Sequence, residues 1–258
     1  MKTLSTLKQV LLFVCLSFIF SCKKNDAGRS TVSTKIKTYI EDLTNVPPYN
    51  RIDSFTVSYD ADGRIVSNIS TTSTLQFLFS YNGTTSATVD IMNNNQLTIR
   101  EFSYLNSDQK VDSTFQYNDT DDSSTTKLIY NANGQVAQEL FYDYSLPGGA
   151  VMWKKNNYTY DANGNLATDT EIMTASGNTN LIITYTYNTI EPNWYSLWPT
   201  YRQRLPKNCP ITATYFYPGS GTTETVNTTY TFDNDNRIIS ETQTDSYGNV
   251  AVKKYIYY

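Results

Sequence analysis

One turn sequence recurs in this chain without gaps, and it constrains the fold more than any other feature. Each copy reads aromatic, Asp or Asn, two variable residues, Gly or Asn, a variable residue and an aliphatic residue. The copies lie at 59–65, 130–136, 160–166 and 232–238. An Asp or Asn side chain can start a turn by bonding the backbone that follows it, and Gly tolerates the left-handed conformation that reverses the chain. Each copy therefore predicts a β-hairpin.

The segments between these turns alternate apolar and polar residues. Phe55 and Val57 stand between polar neighbours, and the same two-residue period recurs at 75–81, 183–187 and 229–232. A period of two is typical of a β-strand with one buried face. The 22 tyrosines and 11 phenylalanines also favour strands. We count about fifteen predicted strands and little helix.

The spacing of the turns predicts how the strands are arranged. Other turns that begin at or near a tyrosine fall at Tyr81, Tyr104, Tyr117 and Tyr187. With these included, the principal turns follow one another mostly at intervals of about 22 to 30 residues, which is about one hairpin each. An open sheet of this size would expose two edges and an aromatic face, so it is expected to curl on itself. We predict one all-β domain over residues 35–258, an antiparallel meander of repeated hairpins curled into a barrel-like or wrapped shell. A short aromatic insertion, helical or looped, interrupts it near 190–206.

The first 21 residues have the pattern of a lipoprotein signal peptide. Lys2 and Lys8 supply the positive start, and an apolar run from Val10 to Phe20 follows. Its length lies within the ~7–15 residues of a secretory signal and is too short to span a bilayer as a helix. The chain is therefore expected to be cleaved before Cys22 and lipidated there. Residues 22–34 would form a flexible tether to the outer membrane, on its periplasmic face or at the cell surface.

The repeated turns resemble the tyrosine-aspartate repeats of Rhs-type shell proteins. Over residues 40–258 the chain is more similar to a group of Bacteroidetes lipoproteins of unknown function whose domain is described as porin-like, and Cys22-Lys23-Lys24 resembles their mature start. This resemblance implies a meander of many antiparallel strands and an envelope location. It implies no activity.

Charge and cysteine content exclude several partners and stabilising features. Loss of Lys2 and Lys8 with the signal would leave 18 basic and 24 acidic residues in the mature chain. The basic residues are scattered, so we expect no nucleic-acid binding. With Cys22 lipidated, Cys209 would be the one remaining cysteine and could form no disulfide within the chain. We expect Cys209 to be buried.

The absence of histidine removes most catalytic constellations. No imidazole base or metal ligand exists in the chain, which excludes Ser-His-Asp triads and most zinc sites. Asp119, Asp121 and Asp122 form an acidic cluster that we interpret as a solvated turn. The Asp-rich turns near Asp60 and Asp161 are similar to calcium loops only in part, and hairpin chemistry explains them. We therefore predict a non-enzymatic protein without a cofactor or metal, with a carboxylate-dependent glycosidase as a weaker alternative.

The insertion contains the candidate ligand-binding residues. Trp194, Tyr195, Trp198 and Arg202 lie close together in the sequence, and the two tryptophans would share a face of a helical turn. Two interpretations remain open. The indoles could fill one end of the shell as a plug, or they could form a platform for a polysaccharide or an envelope protein. We favour a binding or scaffold role with glycan as the ligand, and a purely structural role is the alternative.

An integral outer-membrane barrel is the other architecture to weigh. Tyr258 is a terminal aromatic residue of the type that such barrels carry. However, many predicted strands are shorter than the ~9–11 residues of a membrane strand. Lys253 and Lys254 would also place a charge on the lipid side of the last strand, whichever way it faces. We therefore expect residues 23–258 to be soluble without detergent.

Overall fold

The computed structural model describes residues 33, 35–118, 123–144, 149–193 and 206–258. Every regular element in these ranges is a β-strand, and sixteen strands are present where the sequence predicted about fifteen. The strands are β1 Ile36–Asn45, β2 Ile52–Tyr59, β3 Ile65–Ser70, β4 Gln76–Asn82, β5 Ser86–Asn93, β6 Gln96–Leu105, β7 Val111–Asn118, β8 Ser123–Tyr130, β9 Val136–Asp143, β10 Val151–Tyr160, β11 Leu166–Met173, β12 Thr179–Tyr187, β13 Pro210–Tyr217, β14 Thr222–Phe232, β15 Ile238–Asp245 and β16 Val250–Tyr257.

The strands form a closed barrel in which each pairs antiparallel with its neighbours in sequence. The barrel closes because β1 pairs with β16, for example through Tyr39 with Tyr255 and Glu41 with Lys253. No edge strand remains, which is the solution that a meander of this size favours. The prediction of an all-β, barrel-like meander is therefore confirmed.

The barrel has two ends that differ in their turns. We call the end where β1 begins and β16 finishes the proximal end, and the opposite end the distal end. Because the strands alternate in direction, the turns that follow even-numbered strands all lie at the proximal end. The four copies of the repeated turn are of this kind, so one repeat corresponds to two strands.

The repeated turn folds through backbone hydrogen bonds to its Asp or Asn. In the third copy, Oδ1 of Asp161 accepts hydrogen bonds from the backbone N–H groups of Asn163 and Asn165, both at 2.8 Å. Gly164 has a φ of 85°, and Asn236 has a φ of 59° at the same position of the fourth copy. These carboxylates therefore bond the turn itself, as hairpin chemistry predicts.

Several tyrosines at the proximal ends of even-numbered strands, among them those of the second and third copies of the turn, join their hairpin to the preceding one. Tyr160 donates a hydrogen bond from its hydroxyl to the carbonyl of Val136 at 2.8 Å, and Tyr187 donates to the carbonyl of Leu166 at 2.8 Å. Val136 and Leu166 are the final aliphatic residues of the preceding turns. The same link is made by Tyr81 to Ile65, Tyr130 to Val111 and Tyr257 to Ile238.

Side chains of the turns also connect neighbouring repeats across the proximal end. Gln135 donates to the carbonyl of Gly164 at 3.1 Å, and Lys110 donates to the carbonyl of Gly134 at 2.9 Å. The aliphatic residue that ends each turn is buried beneath these links. The buried residues are Ile65, Val111, Val136, Leu166 and Ile238. At the proximal rim, buried aliphatic side chains and hydrogen bonds between neighbouring turns therefore hold the hairpins together.

The inner face of the barrel divides into two sectors. From β12 through β16 and on to β5, which we call the apolar sector, it holds most of the buried hydrophobic residues. These include Ile36, Val57, Phe79, Val89, Ala213, Tyr215, Val226, Ile238 and Tyr255. From β6 to β11, which we call the polar sector, the positions on the same inner face are mainly polar or charged.

The outer face of the barrel mixes polar and apolar side chains, and its exposed apolar residues include Ile52, Ile129, Phe216 and Ile256. On β14 it carries Thr223, Thr225, Asn227, Thr229 and Thr231, the positions that alternate with buried Val226 and Thr228. Other strands place Lys127, Lys155, Lys254 and the ion pair of Asp90 with Arg100 on this face. Most strands have eight residues or fewer. Within the described ranges, no helix is long and apolar enough to cross a membrane.

Candidate functional site

The predicted ligand-binding residues Trp194, Tyr195, Trp198 and Arg202 lie outside the described residues, as do Cys22 and the acidic cluster at 119–122. The strand rhythm does break where the sequence predicted, because the connection from β12 to β13 runs from 188 to 209 at the proximal end. Its described parts are 188–193 and 206–209. They show how this connection is held.

The first flank of the connection is fixed to the turn between β14 and β15. The backbone N–H of Asn193 donates to the carbonyl of Asn236 at 2.8 Å, and its side-chain amide donates to the carbonyl of Asp235. Asn236 in turn donates from its side chain to the carbonyl of Glu191 at 2.7 Å. Three hydrogen bonds thus fix this flank to the repeated turn at 232–238.

The second flank is fixed to the turn between β10 and β11. Asn165 donates from its side-chain amide to Oδ1 of Asn208 at 3.1 Å, and the backbone N–H of Asn208 donates to Oδ1 of Asn165 at 3.0 Å. Both asparagines are buried. Lys207 and Glu191 form an ion pair at 2.9 Å that joins the two flanks.

Cys209 follows this flank and is completely buried in the apolar sector, as expected. Desolvation by burial, with a smaller contribution from the charge of Glu241, raises the pKa of the Cys209 thiol to about 12. A thiol with this pKa is protonated at neutral pH and is a poor nucleophile. Cys209 therefore contributes to packing.

The polar sector forms the second candidate site. Cross-strand pairs place polar side chains on the inner face of each strand from β6 to β11. They include Glu101, Ser103, Thr114, Gln116, Ser124, Thr126, Glu139, Lys154, Asn156, Tyr158, Asp169 and Glu171. Near the distal end, the side chains of Lys154 and Glu171 are 15% and 19% exposed, so water reaches this part of the lumen.

At the centre of the polar sector, Glu139, Asn156 and Glu171 are direct partners on β9, β10 and β11. Tyr158 donates a hydrogen bond from its hydroxyl to Oε2 of Glu139 at 2.7 Å, and Lys154 forms an ion pair with Glu171 at 2.9 Å. We call Glu139, Asn156 and Glu171 the Glu139 triad.

A second triad with the same spacing lies in the apolar sector. Glu41, Lys253 and Glu241 are direct partners on β1, β16 and β15. Nζ of Lys253 lies 3.5 Å from an oxygen of Glu41 and 3.9 Å from an oxygen of Glu241, and the Lys253 side chain is only 6% exposed. Here the chain supplies its own ammonium group between two carboxylates. We call these residues the Lys253 triad.

The chemistry of these sites is that of charge pairing and hydrogen bonding. Among the residues that the structure describes, no three acidic or cysteine side chains lie close enough together to hold a metal ion. The sequence analysis did not identify the inner acidic residues as a site. A signal was present, because Asp169 and Glu171 alternate with outward-facing threonines, but alternation alone does not tell which face is enclosed.

Comparisons with known proteins agree with the fold. No protein-family model matches the chain, and no curated protein matches it significantly. A solved porin-like protein from Bacteroides uniformis is similar with a TM-score of 0.61 and 12% identity, over 88% of this chain and 99% of that one. A porin-like protein from Bacteroides vulgatus is similar with a TM-score of 0.60 and 14% identity over the same shares. At these identities the similarity shows the fold, which is a barrel shared with porin-like proteins of Bacteroides.

Proposed function

We propose that this chain is a lipid-anchored, non-enzymatic binding protein of the bacterial outer membrane, and that the segment 194–205 binds polysaccharide. The observation that carries this proposal is the double fixation of that segment. Asn193 holds one flank on the turn at 232–238, and Asn208 holds the other on the turn at 160–166. Two tryptophans and two tyrosines therefore lie within a segment whose ends are both fixed at the proximal end. Fixed ends lower the entropic cost of ordering a binding loop.

The proposed anchor rests on the signal sequence and Cys22. The proximal end also carries the start of β1, so the described residues that follow the tether and those that flank the insertion lie at the same end. The two Bacteroides neighbours are described as porin-like, which supports an envelope location for this chain.

The proposal places the barrel in water, next to the membrane to which its lipid is attached. A lipid-exposed barrel needs an apolar outer band about 25 Å tall. Exposed apolar residues such as Ile129, Phe216 and Ile256 lie on the outer face, but the threonines of β14 and the outward lysines Lys127 and Lys254 interrupt them. We expect residues 23–258, produced without the signal, to remain in solution without detergent. Extraction that requires detergent would favour an integral barrel.

The glycan proposal is tested by tryptophan fluorescence of residues 23–258, titrated with a panel of host and plant polysaccharides. We expect a saturable shift that a Trp194→Ala/Trp198→Ala variant loses. Trp153→Ala is the matched control, since Trp153 lies on β10, is 39% exposed and packs against Phe141. This control should keep the response.

Two results would contradict the glycan proposal. A response that survives in the double variant would place the ligand elsewhere. No response across the panel would leave the insertion with a structural role. A carboxylate-dependent glycosidase would release reducing sugar during the same titrations, and we expect none.

A further inference from the structure

The outer face of the polar sector carries aromatic side chains, although its inner face is polar. The strand register places three adjacent rows of residues on this outer face. The distal row is Arg100, Tyr117, Ser123 and Tyr144; the middle row is Phe102, Phe115, Thr125, Tyr142 and Met152; the proximal row is Tyr104, Ser113, Lys127, Leu140, Lys155 and Ile172. We call these three rows the aromatic face.

The rings of the aromatic face lie next to one another and reach solvent. The ring centroid of Phe115 is 6.4 Å from that of Tyr144 and 6.5 Å from that of Tyr117. The centroids of Phe102 and Tyr117 are 6.2 Å apart. Tyr104 is 50% exposed and Tyr144 is 43% exposed. Rings of this size would stabilise the barrel more if they were buried inside it, so their outward position indicates a contact with something outside the barrel.

The aromatic face carries positive charge. Lys127 and Lys155 flank Leu140, which is the direct partner of both, and Lys127 is exposed. The third cation, Arg100, is paired with Asp90 of the neighbouring strand, at 2.6 Å between Nη2 and Oδ2. The three rows themselves contain no carboxylate. Among the described residues of this face, the two lysines therefore have no counter-charge, although the mature chain as a whole would be acidic.

Three features favour a membrane surface as the partner of this face. Tyrosines beside lysines are typical of the boundary between lipid and water, where rings enter the headgroup region and ammonium groups contact phosphate. The face is the convex outside of a closed barrel, so it does not enclose a small ligand as a pocket does. A second copy packed symmetrically on it would place lysines against lysines, with no carboxylate of the face to pair them.

The tether is long enough for this contact. Residues 22–34 are 13 residues, which span up to about 45 Å when extended. The centre of the face, β8, lies half-way round the barrel from β1, and a 16-strand barrel is roughly 30 Å wide. A lipid-anchored barrel can therefore lie with this face on the membrane. Only the reach of the tether depends on the proposed anchor, because the three rows and their charge belong to the barrel.

We propose that the aromatic face docks on the headgroup region of a bilayer that contains anionic phospholipid. Tyr104, Tyr144 and the rings beside them enter the boundary between headgroups and acyl chains, and Lys127 and Lys155 pair with phosphate groups. The docking is peripheral and reversible, so it agrees with a barrel that stays in solution without detergent. It lays the barrel on its side, with both ends facing water.

Co-sedimentation of residues 23–258 with lipid vesicles tests the proposal, because this form of the chain carries no lipid of its own. Vesicles of phosphatidylcholine alone are compared with vesicles that also contain about 30% phosphatidylglycerol. We expect binding to the anionic vesicles that weakens as the salt concentration rises from about 0.05 M to about 0.5 M. Binding to the neutral vesicles should be weaker at low salt.

A charge variant locates the contact. Lys127→Glu/Lys155→Glu should weaken binding to the anionic vesicles at least about tenfold, because it replaces both phosphate contacts by repulsion. Lys37→Glu/Lys254→Glu is the matched control, since both lysines are exposed, lie on β1 and β16 and give the same change in net charge. The control should weaken binding less than about twofold.

A ring variant tests the apolar part of the contact. Tyr104→Ala/Tyr144→Ala removes the two most exposed rings of the face and should weaken binding to both kinds of vesicle at least about threefold. Ile52→Ala/Ile256→Ala is its control, because these residues are 50% and 51% exposed on the outer face of the apolar sector. This control should keep the affinity.

Absence of binding to anionic vesicles at low salt would overturn the proposal, as would equal losses in each variant of the face and its control. Binding of a soluble acidic polysaccharide in place of vesicles would assign the lysines to a glycan. A dimer in analytical ultracentrifugation that the ring variant loses would assign the face to a second copy. Either result would also overturn the proposal. The Trp194→Ala/Trp198→Ala variant should sediment with vesicles as the unmodified protein does, so this proposal and the glycan proposal can fail separately.

Discussion

The apolar and polar sectors are built from the same alternating strands but have different inner faces. In the apolar sector Val57, Phe79, Val89 and Ile238 are at most 5% exposed and form one cluster. In the polar sector the corresponding positions carry residues such as Thr126, Glu139 and Glu171. The barrel therefore needs alternation to close, but it does not need an apolar residue at every inward position.

The difference shows where the stability of a wide barrel comes from. A 16-strand barrel is too wide for its inner side chains to fill completely. In this chain the packing is concentrated in the apolar sector, while hydrogen-bonded turns and buried aliphatic residues complete the proximal rim. The polar sector contributes backbone pairing together with side-chain hydrogen bonds and ion pairs, such as Tyr158 with Glu139 and Lys154 with Glu171.

The largest effect is expected from removing a core residue of the apolar sector. Ile238 is completely buried, and the neighbouring Ile239 is 38% exposed on the outer face. Ile238→Ala should lower the free energy of unfolding by about 2–5 kcal/mol because it leaves a cavity. Ile239→Ala should lower it by less than about 1 kcal/mol. Urea denaturation measures both, and equal losses would show that the apolar sector is not the main source of packing.

A smaller effect is expected from cutting one link between repeats. Tyr160→Phe removes the hydrogen bond to the carbonyl of Val136 and should lower the free energy of unfolding by about 0.5–1.5 kcal/mol. Tyr104→Phe is the matched control, since Tyr104 is 50% exposed on the outer face. If the two substitutions have the same effect in urea denaturation, the repeat tyrosines do not join the hairpins through their hydroxyls.

The smallest effect concerns the acidic turns at low pH. Desolvation opposes ionisation of Asp60 and Asp233, but hydrogen bonds from Arg64 and Arg237 outweigh it and lower the pKa of each carboxyl. A lowered pKa in the folded state gives stability that is present above the ordinary pKa near 4 and is lost as the pH falls through the folded value. We therefore expect the unfolding temperature to fall below about pH 4.

A double variant, Asp60→Asn/Asp233→Asn, isolates this contribution. Asparagine can make the same turn without titrating, as Asn131 does in the second copy, where its Oδ1 accepts from the backbone N–H groups of Asn133 and Gln135. The unfolding temperature of the double variant should depend less on pH in the acid range. An unchanged acid profile would assign the loss of stability to other carboxylates.

The sequence predicted the elements of the fold better than it predicted their interior. The repeated turn and the two-residue period identified the hairpins, the meander and the break before Pro210, because each depends on local backbone chemistry. The hydroxyl of Tyr160 bonding the carbonyl of Val136 could not be predicted, because it joins residues 24 apart in the sequence. The pairing of Glu139 with Asn156 and Glu171 also required the register of three strands.

Thiol accessibility tests the difference between the sectors most directly. Buried Cys209 should give little background in residues 23–258, since its thiol has a raised pKa of about 12. Single cysteines at Thr126, Val89 and Thr229 would sample the polar sector, the apolar sector and the outer face, and a small cationic thiol reagent would label them in the native state. The account predicts rapid labelling at Thr229→Cys, measurable labelling at Thr126→Cys and none at Val89→Cys before unfolding. Equal protection at Thr126→Cys and Val89→Cys would contradict a solvent-accessible polar sector.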